Sequence, residues 1–316
     1  MPNGWKAAML AVTTILVLCH AAANALEIEH RRADIISDGV RLNAHLFHPK
    51  ASDTPLPVVI MSHGWGGTAA GLESQAAAFA GAGYFVVAFD YRGWGESDAR
   101  LVLDGPAPQS GTGEHLSAPV REVREVIDPL EQAADIFNVI HWTMGETMAD
   151  KDRLGLWGTS FSGGLVAYVA ARDRRVRAFV SQVGYFGQPV ATIAAAEVSR
   201  AYTDSTRRAR GQLPYPAPGT REIGNLRGAP LREKFLLYAP IDDVQGAKHC
   251  AMLFIAAERE ELFDNRKHPQ LAFERAAGPK KYVVLPGISH YGVYGEAREQ
   301  ATRLAIEWFD LHLKNQ

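Results

Sequence analysis

The stretch 154–164, LGLWGTSFSGG, constrains this chain more than any other. Its apolar run 154–157 predicts a buried strand, and the Ala-rich run 165–171 predicts a helix. Between them lie a glycine-bounded turn at Gly158, Thr159 and Ser160 and the small residues Ser162, Gly163 and Gly164. A strand that enters a helix through so tight a turn needs a crowded, strained backbone, and small residues permit it. The turn lifts Ser160 Oγ above the carboxyl edge of a sheet. It also sets the amide of Phe161 at a helix N-terminus, where negative charge is stabilised. This is the layout of a G-x-S-x-G nucleophile turn, with Ser162 where the second glycine is usual and Gly163 one place later.

The remaining chain supplies a sheet for that turn. Residues 28–36 and 40–48 read as two strands about the turn signal Asp38–Gly39. Residues 58–61 are unbroken apolar, as a strand buried on both faces is, and run into Ser62–His63–Gly64–Trp65–Gly66–Gly67. A helix over 71–82 stops at Gly83, and a strand over 84–89 leads to Asp90 and Arg92. Further on come a helix over 129–144, strands over 176–183, 251–257 and 282–285, and a closing amphipathic helix over 296–313. Residues 100–124 read as irregular. Strands alternating with helices predict the α/β class: a mostly parallel central sheet with helices on both faces. Such sheets carry their sites at strand carboxyl ends. The neighbourhoods of Trp65, Asp90, Ser160, Glu260 and His290 all follow strand ends.

Residues 185–248 break the alternation with Pro189, Pro214, Pro216, Pro218, Pro230 and Pro240 and with helical pieces over 191–209 and 231–238. They read as a cap inserted between two core strands. Tyr185, Phe186, Tyr202, Tyr215 and Tyr238 are candidates to line a substrate pocket there, or else to fill the cap's own interior.

With 316 residues, 47% of them hydrophobic and 22% charged, the chain has an ordinary globular composition. A net charge of −2 gives no nucleic-acid footprint, and the arginines at 172–177 and 207–210 read as solvated surface. Residues 1–25 read as a signal peptide: Lys6, an apolar core over 7–18, and Ala23–Asn24–Ala25 before Leu26. That core is short for a membrane span of roughly 20 residues, although an uncleaved anchor is the alternative. The expected mature protein, 26–316, is exported and not inserted in a membrane. Cys19 would leave with the leader, so Cys250 would remain alone as a small core residue.

The wording and order of five segments resemble the α/β-hydrolase family, in its dienelactone-hydrolase-like and acyl-peptidase-like serine branches. They are SHGWGG at 62–67, FDYRGWGES at 89–97, the serine turn at 154–164, FIAAEREELFD at 254–264 and GISHYGVY at 287–294. Dienelactone hydrolases proper use a cysteine nucleophile, which this chain replaces by serine. The resemblance implies the chain order serine, acid, histidine. His290, 130 positions beyond Ser160 (290 − 160), then takes the place of the base that a weakly nucleophilic hydroxyl needs. His63 competes for that role, but its place before the Gly64–Trp65 turn assigns it to ordering the loop. His141, His268 and His312 have no supporting context.

Glu258, Glu260, Glu261 and Asp264 are the candidates for the acid that fixes the imidazole tautomer. The family spacing, three residues beyond Ala257, selects Glu260, with Asp264 and Glu261 as alternatives. An oxyanion hole needs two amides. Phe161 N–H is one candidate, and by resemblance Trp65 N–H is the other, unless the glycines beside it serve only a tight turn. Asp90 and Arg92 are read as structural. The implied activity is hydrolysis of a small or polymeric carboxylic ester through an acyl-enzyme. A peptidase, an amidase, an acyltransferase and a non-catalytic binding protein are the alternatives. No metal-ligand spacing or phosphate-binding loop is present in the sequence, so no cofactor is implied.

Overall fold

A computed structural model of the protein describes residues 27–106, 115 and 117–315; the leader reading for 1–25 and Cys19 fall outside them. The described residues open with a hairpin, β1 (Ile28–Ser37) and β2 (Val40–Pro49), turned at Asp38–Gly39 as its sequence predicts. Next come β3 (Leu56–Ser62), α1 (Glu73–Gly81) and β4 (Phe85–Phe89). Then β5 (Arg100–Leu103), β6 (Val120–Val123) and β7 (Val126–Ile127) precede α2 (Pro129–Thr143). The serine turn joins β8 (Ala149–Thr159) to α3 (Phe161–Ala170), and β9 (Val176–Gln182) follows. The inserted segment holds α4 (Ala195–Ala209), β10 (Ala229–Pro230), α5 (Arg232–Phe235) and α6 (Pro240–Asp243). The chain closes with β11 (Ala251–Arg259), α7 (Pro269–Arg275), β12 (Lys280–Ser289) and α8 (Arg298–Phe309).

Among the described residues, eight strands form one sheet in the order β1-β2-β4-β3-β8-β9-β11-β12. Pairing is antiparallel from β1 through β4 and parallel from there on. The apolar run of β3 shows why such strands read as unbroken. Val58 and Ile60 face one core with α2 and α3, while Val59 and Met61 face the other with α1 and α8. A strand covered on both faces alternates sides yet has no wet side. The α2 start is set locally: Asp128 accepts from the amides of Leu130 and Glu131, and Pro129 occupies the first turn.

The loop after β4 is tied down by buried charge. Asp90 accepts from Asn43 Nδ2 at 3.0 Å, the Ala69 amide at 2.7 Å and the Glu96 amide at 3.0 Å. Arg92 donates from Nε and its amide to Asp135 at 2.9 and 3.0 Å, and Ser37 Oγ donates to the same carboxylate at 2.7 Å. Asp135 is fully buried, and breaking such a pair typically costs about 3–5 kcal/mol. Asp90 and Arg92 therefore brace the strand ends near the serine turn and take no part in it.

Two local expectations are corrected. Residues 100–124 are not wholly irregular, because β5 and β6 pair antiparallel outside the main sheet. Their exposed alternate residues, such as Leu101 and Val120, hide the strand signal. The helix over 231–238 shrinks to the single turn α5. The segment is held partly by Arg208, which pairs with Glu233 at 3.0 Å and, like Arg100, lies over the Tyr215 ring. Cys250 is a buried free thiol, and no helix among the described residues is long and apolar enough to cross a membrane.

Candidate active site

The serine turn is built by conformational constraint. Ser160 has φ 54° and ψ −123°, a left-handed backbone that a side-chain-bearing residue adopts at a cost of about 1–3 kcal/mol. Three backbone bonds hold it: its amide donates to Gln182 O at 2.8 Å, and its carbonyl accepts from the amides of Gly163 and Tyr185. A Cβ on Gly158 would run into the Ser162 carbonyl, so the strand can reach the turn only through glycine there. Ser162 is small, and it also works. Its hydroxyl is buried against Ser62 Oγ and lies 2.8 Å from Tyr91 OH, linking β3 to the start of α3. Phe161 is the first residue of α3, where an amide has no intrahelical acceptor.

Three side chains from separate strand ends converge on this turn. His290, just beyond β12, brings Nε2 to 3.0 Å from Ser160 Oγ. Its Nδ1 lies 2.8 Å from Glu260 Oε2, just beyond β11. The Glu260 and His290 side chains are each 2% exposed. A carboxylate beside Nδ1 fixes the proton there, which leaves Nε2 as a lone-pair acceptor for the serine hydroxyl. Glu260 is itself held, since Oε1 accepts from the Leu262 amide at 3.0 Å.

The other acidic candidates point elsewhere. Glu261 accepts from the backbone amide of His290 at 2.7 Å, and Glu258 accepts from the amide of Gly287 at 2.6 Å. Both brace the histidine loop. Asp264 caps the turn after it and binds Arg266 at 2.8 Å, and that guanidinium holds its carboxyl down at about 2. His63 hydrogen-bonds Gly64 O at 2.9 Å through Nδ1 and accepts from the Tyr91 amide through Nε2, so it orders the loop. Burial lowers its pKa, in keeping with a neutral ring.

The loop 63–67 lies against the serine. A Cβ on Gly64 would sit 2.8 Å from Ser160 Cβ and 2.9 Å from Thr159 O. The Trp65 ring meets Phe161 edge-on at 5.5 Å and donates to Gly228 O at 3.1 Å. Trp65, Ser160 and Phe161 all border one cavity of about 630 Å³. The inserted segment supplies most of its remaining wall, including Ile193, Ala201, Leu226, Phe235 and Tyr238. Of the proposed lining aromatics, Tyr185 and Tyr238 reach the cavity. Phe186 is buried in the main core, Tyr202 is largely exposed and Tyr215 packs against arginines.

Two nearby residues went unassigned by the sequence reading. Tyr294, in the GISHYGVY segment, hydrogen-bonds Thr159 Oγ1 at 2.8 Å and reaches the Ser160 side chain, and burial raises its pKa. The His268 ring lies 4.5 Å from that of Tyr185, tilted by 35°, and meets Phe263 edge-on at 5.0 Å. A lone histidine gives no sequence signal of such packing. Burial lowers its pKa from 6.5 to about 4. Between those values the unfolded chain binds more protons than the folded one, so stability rises with pH over that window. The melting temperature should therefore fall on acidification from pH 6.5 to 4, and His268→Gln should flatten part of that slope in a pH series of thermal melts.

Comparison with known proteins agrees with this architecture. The X-Pro dipeptidyl-peptidase (S15 family) profile matches residues 38–190. An uncharacterized 31.7 kDa protein from the traX-finO intergenic region of Escherichia coli is 27% identical, over 88% of this chain and 98% of that one. The quorum-quenching protein AidA of Acinetobacter baumannii is 31% identical over 46% of this chain and 41% of its own. The crystal structure of the alpha/beta hydrolase GrgF from Penicillium superposes with a TM-score of 0.67 at 21% identity, covering 92% of this chain and all of GrgF.

Proposed function

We propose that this chain, which has the α/β-hydrolase fold, is an exported serine hydrolase that cleaves carboxylic esters through an acyl-enzyme. The observation that carries this reading is the continuous hydrogen-bonded line Glu260–His290–Ser160, ending in a cavity. Ser160 Oγ attacks the ester carbonyl while His290 Nε2 takes its proton. The imidazolium forms beside the Glu260 carboxylate and then returns the proton to the leaving alcohol. Water, deprotonated by the same nitrogen, releases the acid. The amides of Phe161 and Trp65 are the proposed donors to the oxyanion. No step calls for a metal or an organic cofactor.

The wall of Trp65, Phe161, Phe235 and Tyr238 favours a substrate with an apolar acyl or alcohol group. Export rests on the sequence of residues 1–25. The test is labelling with a fluorophosphonate probe together with turnover of p-nitrophenyl acetate, butyrate and octanoate. Labelling and turnover of at least one ester are expected, with a dependence on chain length set by the cavity. An intact fold that neither labels nor turns over any of them would overturn the reading.

The profile match to S15 peptidases and the carboxylates of Glu197 and Glu261 in the cavity wall favour one second reading, a peptidase that holds a substrate amine. Hydrolysis of an X-Pro anilide faster than of the esters would select it.

The oxyanion assignment has its own test. Gly64→Ala forces a methyl against Ser160 and Thr159 and displaces the loop that carries Trp65 N–H. Steady-state kinetics on p-nitrophenyl acetate should show kcat lowered by about 10² or more, the cost of one oxyanion donor, with a smaller change in KM.

A further inference from the structure

On the far antiparallel edge of the sheet, away in sequence from the serine turn, three potential metal ligands meet. Phe47 faces His30 and His45 faces Arg32 across the β1–β2 ladder, so the two histidines are diagonal neighbours on one face. Their rings lie 5.3 Å apart and 24° from parallel, and His30 is stacked on Phe47 at 4.2 Å. Glu73, the first residue of α1, reaches the same place. One ligand atom from each of the three lies within 4.8 Å of the others.

The geometry around His45 is unusual for a buried imidazole. The residue is 1% exposed, and its Nδ1 lies 3.0 Å from Glu73 Oε1. That contact is not aligned as a hydrogen bond, so the nitrogen has no hydrogen-bond partner. A hydrogen bond wants the oxygen along the nitrogen's in-plane axis. A cation about 2.1 Å from each atom would see them at roughly a right angle, which sets the oxygen off that axis. Misalignment at contact distance is what a shared cation requires.

We propose that His30, His45 and Glu73 bind a divalent transition-metal cation of the zinc type, which pins the N-terminal hairpin to α1. Two imidazoles and one carboxylate are a donor set suited to such ions. His30 is exposed, so a water can complete the shell from solvent. Arg32, across the ladder from His45, is paired with Glu96. Positions 30, 45 and 73 form no metal motif, and only the fold brings the three together.

The test uses the tag-free protein, stripped with chelator and titrated with ZnCl2 by calorimetry. One equivalent should bind, and the melting temperature should rise with zinc concentration. His30→Ala and Glu73→Gln, at partly exposed positions outside the catalytic line, should each weaken binding on the order of tenfold or more. Ester turnover in the absence of zinc should be unchanged in both. Co²⁺ should give a ligand-field spectrum that both variants lose. No binding by the parent protein, or binding and spectrum unaltered in both variants, would overturn the proposal.

Discussion

Ser160→Ala is expected to lower kcat for p-nitrophenyl esters by about six orders of magnitude and to abolish fluorophosphonate labelling. The size follows from the role: without Oγ there is no atom to form the acyl-enzyme, and the remaining groups can only assist water. The fold should survive, because the turn is held by the backbone of Ser160, through Gln182, Gly163 and Tyr185, and not by its hydroxyl. Ser162 offers no rescue, since its hydroxyl is buried and engaged with Ser62 and Tyr91. A variant that keeps near-parental turnover with an unchanged circular dichroism spectrum would place the nucleophile elsewhere.

Glu260→Gln carries the second largest effect, a fall in kcat of about 10⁴. Its carboxylate accepts a hydrogen bond from His290 Nδ1–H and so keeps that proton in place. An amide in its place can present N–H to that nitrogen, which moves the ring proton to Nε2. The nitrogen facing Ser160 then has no lone pair with which to act as base. The size-matched control is Asp264→Asn, whose carboxylate serves Arg266 and a local turn. Its kcat should stay within about twofold of the parent, well inside the tenfold that 1.36 kcal/mol represents. Steady-state kinetics of the pair decides the acid, and a collapse in Asp264→Asn with activity retained in Glu260→Gln would reverse the assignment.

What was legible in the sequence follows local physics. Doubly buried strands announce themselves as apolar runs, so β3, β4, β8, β9 and β11 could be read directly. Glycine demand marked the serine turn, because Gly158 has no alternative. The short hairpin β5–β6 escaped because it packs outside the main sheet and keeps one face wet. Glu260 could be picked out only by resemblance. Four carboxylates stand within seven positions, and spacing alone does not say which one turns inward. Tyr294, His268 and the His30–His45–Glu73 cluster stayed hidden for a related reason. Each has at least one partner well away along the chain, and no local pattern encodes a meeting across the fold. Within the inserted segment, aromatic residue type did not tell pocket from interior: Tyr185 and Tyr238 reach the cavity and Phe186 does not.

The sheet order bears on how this protein would lose activity. Ser160 stands at the end of a central strand, whereas His290 follows β12, which among the described residues pairs with β11 alone and forms the rim of the sheet. Glu258 and Glu261 are the carboxylates that moor the histidine loop to its neighbour. Fraying at that rim parts His290 from Ser160 while the middle of the sheet is still intact. Heat inactivation should thus run ahead of the loss of bulk secondary structure, and catalysis becomes a sensor of how firmly the last strand is docked.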